Sequence, residues 1–238
     1  EQFKKSKVDC SFGLKEIQGA FSSVSDTPLV VFVHGLGGTS KTFGDFPAFL
    51  RANSTVECMS YLYPSAPALA ADIYFVAKQL GNEVLLRGRS NIIFVAHSLG
   101  GLVVRKLLAE VCALRLIGES ISKYTRVVSL FASPTSGSAI ASCAKYVPYG
   151  MNHPHLRALQ KSSGQLVQLN DAWKNWCQDH PECDVLNFYG TSDSAVTAAD
   201  ASSGPGDGFP VTAATHTSIV KPSNGNDFVV LQLASRIK

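Results

Sequence analysis

A serine lies between an apolar run and two glycines in the segment IFVAHSLGG, which covers residues 93–101. This order predicts a buried strand, a sharp turn and a helix. In such a turn the serine hydroxyl is exposed at the carboxyl end of a sheet, where it can act as a nucleophile. Ala96 and Gly100 provide the small residues that the closely approaching backbone requires. The alternative is that Ser98 only caps the helix that follows it.

A serine hydroxyl is a weak nucleophile and needs a base, which an acid in turn orients. On a parallel α/β sheet the expected order along the chain is serine, acid, histidine. Of the 6 histidines, only His216 comes late, in a loop before the last predicted helix, and it is therefore the predicted base. Asp193 is the predicted acid because it closely follows a predicted strand end, while Asp200 and Asp207 remain alternatives.

A second glycine-rich segment, HGLGG at residues 34–38, follows another predicted strand. Glycines allow a loop to bring backbone N–H groups close to a substrate, where they can stabilise a developing oxyanion. The predicted donors are Leu99, which follows the candidate nucleophile, and Leu36 in this segment. His34 is expected to shape the loop, and His97 is expected to point away from the nucleophile. The alternative is an ordinary glycine-rich turn.

Strand and helix patterns alternate along most of the chain. Short apolar runs predict strands at residues 29–33, 55–63, 91–96, 126–131 and 184–189. Apolar residues at helical spacing predict helices at residues 40–52 (capped by Ser40), 67–86, 102–116, 160–176 and 228–237. Residues 200–210 are rich in Gly, Ser and Pro, which predicts a loop. The alternation predicts an α/β fold with a mostly parallel central sheet and helices on both faces.

One long segment interrupts the alternation of strands and helices, and we interpret it as a lid. We expect residues 1–238 to form a single domain that carries a lid-like insertion at about residues 133–180. Its first part, residues 133–155, shows no strand or helix pattern, and long loops of this kind are often functional. Tyr146, Tyr149 and Met151 in this insertion are the candidate substrate-binding residues, since their apolar surface could line an acyl site. The alternative is a segment that only packs on the edge of the sheet.

The composition limits the classes of partner and location. Lys and Arg number 21 and Asp and Glu number 18, so the net charge is +3, and without a basic run this excludes a nucleic-acid partner. No apolar run is long enough to span a membrane.

The 6 cysteines include no C-x-x-C pair, which disfavours a structural zinc site, and Cys177 and Cys183 could form a local disulfide. The start at Glu1-Gln2 is compatible with a removed leader, and a secreted or other extracytoplasmic location is expected.

The chain resembles the α/β-hydrolase superfamily over nearly its whole length. Within it, the resemblance is to serine esterases and lipases, including the GPI-inositol-deacylase-like and small bacterial lipase groups. The segments that carry it are HGLGG at 34–38, VAHSLGG at 95–101, FASPTSGS at 131–138, TSDSAV at 191–196 and THTSIVKPSN at 215–224. The chain departs from the usual pattern at Ala96 and Ala132, which replace glycines, at Thr135, which replaces a histidine, and at Thr197, which replaces a proline.

The resemblance implies the α/β-hydrolase fold and a catalytic triad of Ser98, His216 and Asp193, with Leu36 and Leu99 as the oxyanion donors. The expected activity is hydrolysis of carboxylic esters by a lipase or esterase, which could be a phospholipase or deacylase. No metal and no organic cofactor are implied. The expected partner is a small-molecule or lipid ester, with transient contact with a lipid surface. The alternatives are a thioesterase acting on acyl-cysteine or acyl-CoA, an acyltransferase, and a catalytically inactive binding module.

Overall fold

The computed structural model describes residues 13–16, 27–65, 72–113, 120–136, 139, 142 and 163–237. The strands are β1 (Gly13–Glu16), β2 (Leu29–Val33), β3 (Glu57–Leu62), β4 (Ile92–His97), β5 (Thr125–Phe131), β6 (Asp184–Gly190) and β7 (Asp207–Val211). The α-helices are α1 (Phe46–Asn53), α2 (Ile73–Leu85), α3 (Leu99–Lys106), α4 (Ser120–Tyr124), α5 (Ser163–Asp179), α6 (Ala198–Ala201) and α7 (Phe228–Ala234). Helix α3 continues into a π-helical turn at Leu107–Val111, and a 3-10 turn covers Ser218–Val220.

The strands form one sheet in the order β1-β3-β2-β4-β5-β6-β7. Every neighbouring pair is parallel except β1 with β3. Strands β2 and β4 are buried along their whole length, as expected at the centre of a parallel sheet that helices cover on both faces. The predicted α/β architecture is therefore confirmed. Because the parallel strands point the same way, the loops after β2, β4, β6 and β7 all leave from one edge of the sheet.

Successive residues of each strand face opposite sides of the sheet, and each side has its own core. Val31 of β2 belongs to the core cluster that includes residues of α2, α3 and α5. Its neighbour Phe32 belongs to the cluster that includes residues of α1 and α7. Trp173 and Trp176 stack with their ring centroids 5.0 Å apart, and they attach α5 to the first cluster. The sheet is thus held between two apolar layers.

Two local predictions are wrong and one element was not predicted. The helix predicted at residues 40–52 begins after Asp45, with a proline in its first turn, so Ser40 is not its cap. The loop predicted at residues 200–210 ends in β7, which pairs with β6 and includes Pro210. A proline is tolerated there because β7 is an edge strand. The unpredicted strand is β1, a short antiparallel partner of β3.

The cysteines within the described ranges form no disulfides. Cys58, Cys112, Cys177 and Cys183 are free thiols, so the predicted bridge between Cys177 and Cys183 is wrong. Both side chains instead pack with the apolar core cluster next to α5. Burial raises the pKa of the Cys177 thiol to about 12, which keeps it protonated. The expected extracytoplasmic location gains no support from these four residues.

The predicted insertion is described only in part. Its later portion forms α5 at Ser163–Asp179, which confirms the helix predicted at residues 160–176 with a shift of about one turn. Tyr146, Tyr149 and Met151 lie outside the described residues, so the lid and its substrate-binding role stay predictions. Among the helices that the structure describes, none combines the length and apolar character needed to cross a membrane.

Candidate active site

Ser98 occupies the turn between β4 and α3. Its backbone has φ 52° and ψ −122°, which few residues other than glycine adopt. The Ser98 amide donates to the carbonyl of Phe131 on β5 (2.9 Å), and the Gly101 amide donates to the Ser98 carbonyl (3.0 Å). These two bonds stabilise the turn. The strand–turn–helix order that the sequence predicts around Ser98 is therefore confirmed.

Gly35 and Gly100 let the loop after β2 lie directly against this turn. A Cβ on Gly100 would lie 2.3 Å from the carbonyl oxygen of Val33 and 2.5 Å from that of His34. A Cβ on Gly35 would lie 2.8 Å from the Cβ of Ser98. Neither position leaves room for a side chain. The close packing also leaves Ser98 only 2% exposed, so the expectation of an openly exposed hydroxyl is wrong.

A Gly100→Ala substitution should lower the free energy of unfolding by roughly 3 kcal/mol, because the added methyl group meets two backbone oxygens that cannot easily move. Chemical denaturation measures this loss. The matched control is Gly164→Ala in α5, where an added Cβ meets nothing within 4 Å. The control should leave stability unchanged or raise it by up to about 1 kcal/mol. Equal stabilities of the two variants would contradict the close packing at Gly100.

The folded chain brings His216 and Asp193 to Ser98 from two different loops. His216 follows β7, and its Nε2 lies 3.0 Å from Ser98 Oγ. Asp193 follows β6, and its Oδ2 lies 2.9 Å from His216 Nδ1. Because a carboxylate only accepts hydrogen bonds, Nδ1 carries the proton that is donated to Asp193. In the neutral ring Nε2 is then the acceptor for the Ser98 hydroxyl.

The carboxylate of Asp193 is held in its charged form by hydrogen bonds. Burial raises its pKa, but the hydrogen bond from His216 and those from the amides of Val196 and Ala195 outweigh burial, so that the net pKa lies below its usual value. The two amides donate to Oδ1 at 3.0 and 2.8 Å, which leaves Oδ2 for the histidine. Asp193 can therefore orient the imidazole of His216 and stabilise it when it becomes protonated.

The two alternative acids lie elsewhere. Asp200 accepts hydrogen bonds through Oδ2 from the amide of Thr135 (3.0 Å) and through Oδ1 from its hydroxyl (3.1 Å). Asp207 lies at the start of β7 and forms an exposed ion pair with Arg236 (3.3 Å). Neither bond leads to His216. Of the three predicted aspartates, the structure thus brings Asp193 into contact with His216.

The two predicted oxyanion donors belong to the segments that meet at Ser98. Leu99 is the first residue of α3, so its N–H is one of those that have no acceptor inside the helix. Leu36 belongs to the loop after β2, next to Gly35, which contacts the serine. Both residues are therefore near the reacting hydroxyl, and their role as donors stays a prediction.

Tyr63 is a residue of this region that the sequence did not single out. Its ring stacks on that of His34, with centroids 4.4 Å apart, and its hydroxyl donates to the His34 carbonyl (2.7 Å). His34 Nδ1 donates to the carbonyl of Gly35 (2.9 Å). His34 thus contacts its own loop, as expected for a residue that shapes it. The only signal for Tyr63 was its position at the end of the predicted strand 55–63.

Five leucines form a small apolar wall beside the turn. Leu36 and Leu99 are partly buried and pack against a cluster from α3 and α5. The buried members of this cluster are Leu102, Leu166 and Leu169. We call these five residues the leucine wall. It places apolar surface directly next to the predicted oxyanion donors, and the sequence did not predict it because α5 is distant from α3 along the chain.

Stability should fall steeply as the pH drops below about 6.5, the usual pKa of histidine. Burial lowers the pKa of His34 to about 4 and that of His97 to about 3, so both stay neutral in the folded chain. The unfolded chain binds protons on both residues at pH 5, and this linkage can reach about 2.7 kcal/mol per pH unit. Urea denaturation between pH 5 and 7 measures the slope. The slope should be roughly halved in His97→Gln. An unchanged slope would show that the pH dependence does not arise from these two buried histidines.

The site presents a hydroxyl, an imidazole and a carboxylate in a continuous hydrogen-bonded line. In this order the imidazole can take the hydroxyl proton while the carboxylate stabilises the resulting imidazolium, which is the chemistry of a serine nucleophile. Within the described residues, no group of three or more His, Cys, Asp or Glu side chains could hold a metal ion.

Known proteins resemble this chain in sequence and in fold. Protein SERAC1 of Mus musculus and of Homo sapiens is 29% identical over 153 residues, which is 60% of this chain but only 23% of that protein. The chain thus spans about a quarter of the curated relatives that it matches. The Bacillus licheniformis lipase BlEst2 in its mature form superposes with a TM-score of 0.69 at 18% identity, over 94% of this chain and 98% of that one. The type II thioesterase BorB, from the borrelidin biosynthetic cluster, has a TM-score of 0.59 at 16% identity, over 94% and 96%.

A family match covers most of the chain. The sequence model described as "Alpha/beta hydrolase family" matches residues 30–230, from β2 to α7. This span includes the turn at Ser98 and the loops that carry Asp193 and His216. The sheet order and the strand–turn–helix unit agree with the resemblance seen in the sequence. The chain therefore belongs to the alpha/beta hydrolase family and has its fold.

Proposed function

We propose that this protein is a serine hydrolase that cleaves carboxylic esters with Ser98, His216 and Asp193. The observation that carries the proposal is the hydrogen-bonded line from Ser98 Oγ through His216 to Asp193, with contacts of 3.0 and 2.9 Å. The three side chains come from loops at one edge of the sheet. This arrangement is the one that converts a serine hydroxyl into a nucleophile.

The reaction follows from these contacts. His216 Nε2 takes the proton of the Ser98 hydroxyl as Oγ attacks the ester carbonyl, and Asp193 stabilises the imidazolium. The amides of Leu36 and Leu99 stabilise the oxyanion of the tetrahedral intermediate. The imidazolium then protonates the leaving alcohol, and the acyl group stays on Ser98. A water molecule repeats the same steps and releases the acid. No cofactor takes part in this proposal.

The leucine wall favours an ester with an apolar acyl group. It lies beside the predicted oxyanion donors, where the acyl chain would begin, and its partly buried members Leu36 and Leu99 offer apolar surface of the kind that is typical of acyl sites. The similarity in fold to the lipase BlEst2 supports the same substrate class. Contact with a lipid surface and the role of Tyr146, Tyr149 and Met151 stay predictions.

A thioesterase is the second candidate, because the thioesterase BorB shares the fold and the same triad can attack a thioester. An acyltransferase would use an alcohol instead of water for the second step. A binding module without catalysis would retain the fold but leave Ser98 unreactive.

Labelling and chain-length assays distinguish these candidates. A fluorophosphonate probe should label the wild-type protein at Ser98, and an unlabelled serine would overturn the proposal in favour of a binding module. A series of chromogenic esters of increasing acyl length should then be compared with a thioester of the same acyl group. Activity on the esters that rises with acyl length is expected. A strong preference for the thioester would identify a thioesterase, and transfer to added glycerol would identify an acyltransferase.

A further inference from the structure

One histidine of the site takes no part in the proposed reaction. His97 is the last residue of β4 and directly precedes Ser98 in the chain. Its Nε2 lies 2.7 Å from the backbone carbonyl oxygen of His216, a residue 119 positions later in the chain. The bond is buried, and the two imidazole centroids are 5.0 Å apart. His97 thus joins the strand of the candidate nucleophile to the loop of the candidate base.

We propose that His97 is a positioning residue that fixes the main chain of His216, and so the distance between the base and Ser98. This inference rests on the proposed function, because it assumes that His216 is the base. It assigns a role to His97, which the sequence predicted only to point away from the nucleophile.

The protonation state of His97 follows from its partner. A carbonyl oxygen only accepts hydrogen bonds, so Nε2 must carry the proton and donate it. Burial lowers the pKa of His97 to about 3, so the ring is neutral and Nδ1 carries no proton. A neutral ring does not repel the imidazolium that forms on His216 during the reaction. His97 therefore offers a single donor, and that donor is directed at the His216 carbonyl.

The other ring nitrogen indicates why a histidine is present at all. His97 is 6% exposed, and within the part of the chain that the structure describes its Nδ1 has no hydrogen-bond partner. Leaving a buried acceptor unsatisfied destabilises the fold, so an apolar side chain would suit packing alone better. The unsatisfied Nδ1 therefore lowers stability, and we attribute the presence of a histidine here to the hydrogen bond that its Nε2 donates.

The bond also connects the main chain of His216 directly to the residue that precedes Ser98. The side chain of His216 contacts Ser98 and Asp193, but its main chain belongs to the loop after β7, a strand three positions away from β4 in the sheet. Through the bond from His97, the base is attached to the residue next to the nucleophile. A misplacement of about 1 Å between reacting groups can lower a rate by as much as 10²-fold.

Three variants test this role in the full chain. His97→Leu removes the donor, whereas His97→Gln retains an amide N–H at the same reach along the side chain. His180→Leu is the matched control, because His180 also donates through a ring nitrogen to a backbone carbonyl, that of Trp176 (2.8 Å), but it lies just after the C-terminal end of α5. The measurements are the rate of fluorophosphonate labelling, kcat and KM on a chromogenic ester, and thermal stability.

We expect His97→Leu to lower the labelling rate and kcat by roughly 10- to 100-fold while KM changes little. His97→Gln should recover most of the lost rate, and His180→Leu should label at the wild-type rate. Labelling of His97→Leu at the wild-type rate, or equal losses in the Leu and Gln variants, would overturn the inference. If His97→Leu does not fold, His97→Asn replaces it, since its shorter amide does not reach the carbonyl. Failure of the wild type itself to label would instead contradict the proposed function.

Discussion

The Ser98→Ala variant should lose ester turnover by a factor on the order of 10⁶ in kcat, as serine hydrolases do when the nucleophile is removed. Alanine cannot form the acyl-enzyme, so only binding and oxyanion stabilisation would remain. The variant should also resist labelling by a fluorophosphonate. Steady-state kinetics on a chromogenic ester, with active-site labelling of the same preparation, measures both effects.

The matched control is Ser129→Ala. Ser129 is a fully buried serine on β5 whose Oγ has no hydrogen-bond partner within the described residues. Its replacement removes the same atom from a neighbouring strand and should leave kcat close to that of the wild type. Turnover that survives in Ser98→Ala, with normal folding by circular dichroism, would show that another residue is the nucleophile.

The Asp193→Asn variant should lower kcat by about 10⁴-fold, the loss seen when the acid of a serine protease is replaced in this way. The asparagine amide can donate to His216 Nδ1, which moves the ring proton to Nε2. The imidazole then faces Ser98 as a donor and cannot accept its proton. Because the carboxylate pKa lies below its usual value, the wild type should also lose stability as the pH falls through that lowered pKa, an effect absent from the variant.

The Asp200→Asn variant tests whether Asp200, an alternative that the sequence left open, acts as the acid in place of Asp193. Asp200 is bonded to Thr135, and asparagine keeps one of the two accepting oxygens. Its kcat should therefore stay close to that of the wild type, with at most a modest loss of stability. If Asp200→Asn were the more damaging substitution for kcat, Asp193 would not be the acid.

Much of the sheet could be predicted because its signal is local. A strand that helices cover on both faces is mostly apolar, and β2, β4 and much of β6 therefore stand out as short apolar runs between turns. Strand β7 gave no such signal, since its sequence DGFPV contains residues that favour loops. It becomes a strand because β6 offers it a row of unpaired backbone groups. Whether a segment at the edge of a sheet forms a strand thus depends on the neighbouring strand more than on the intrinsic propensity of its residues.

Which candidate acid contacts His216 depends on distances in space. From the sequence, Asp193 was preferred because it closely follows a predicted strand end, but Asp200 and Asp207 lie in the same stretch before or at the start of β7 and stayed open. The fold separates them by their partners, namely His216 for the first, Thr135 for the second and Arg236 for the third. Chain order could indicate which segment provides the acid, but not which carboxylate reaches the histidine.

By itself, the sequence determined the strand–turn–helix unit at Ser98, the parallel sheet and the order of the three candidate side chains. These features depend on residue size, apolar runs and glycines that lie within a few positions of one another, so they can be recognised in one short stretch of sequence. Only the tertiary structure decided the burial of Ser98, the contact between Asp193 and His216, the leucine wall and the bond from His97 to the His216 carbonyl. Each of these joins residues that are far apart in the chain, and no local pattern encodes which distant group arrives at a given distance.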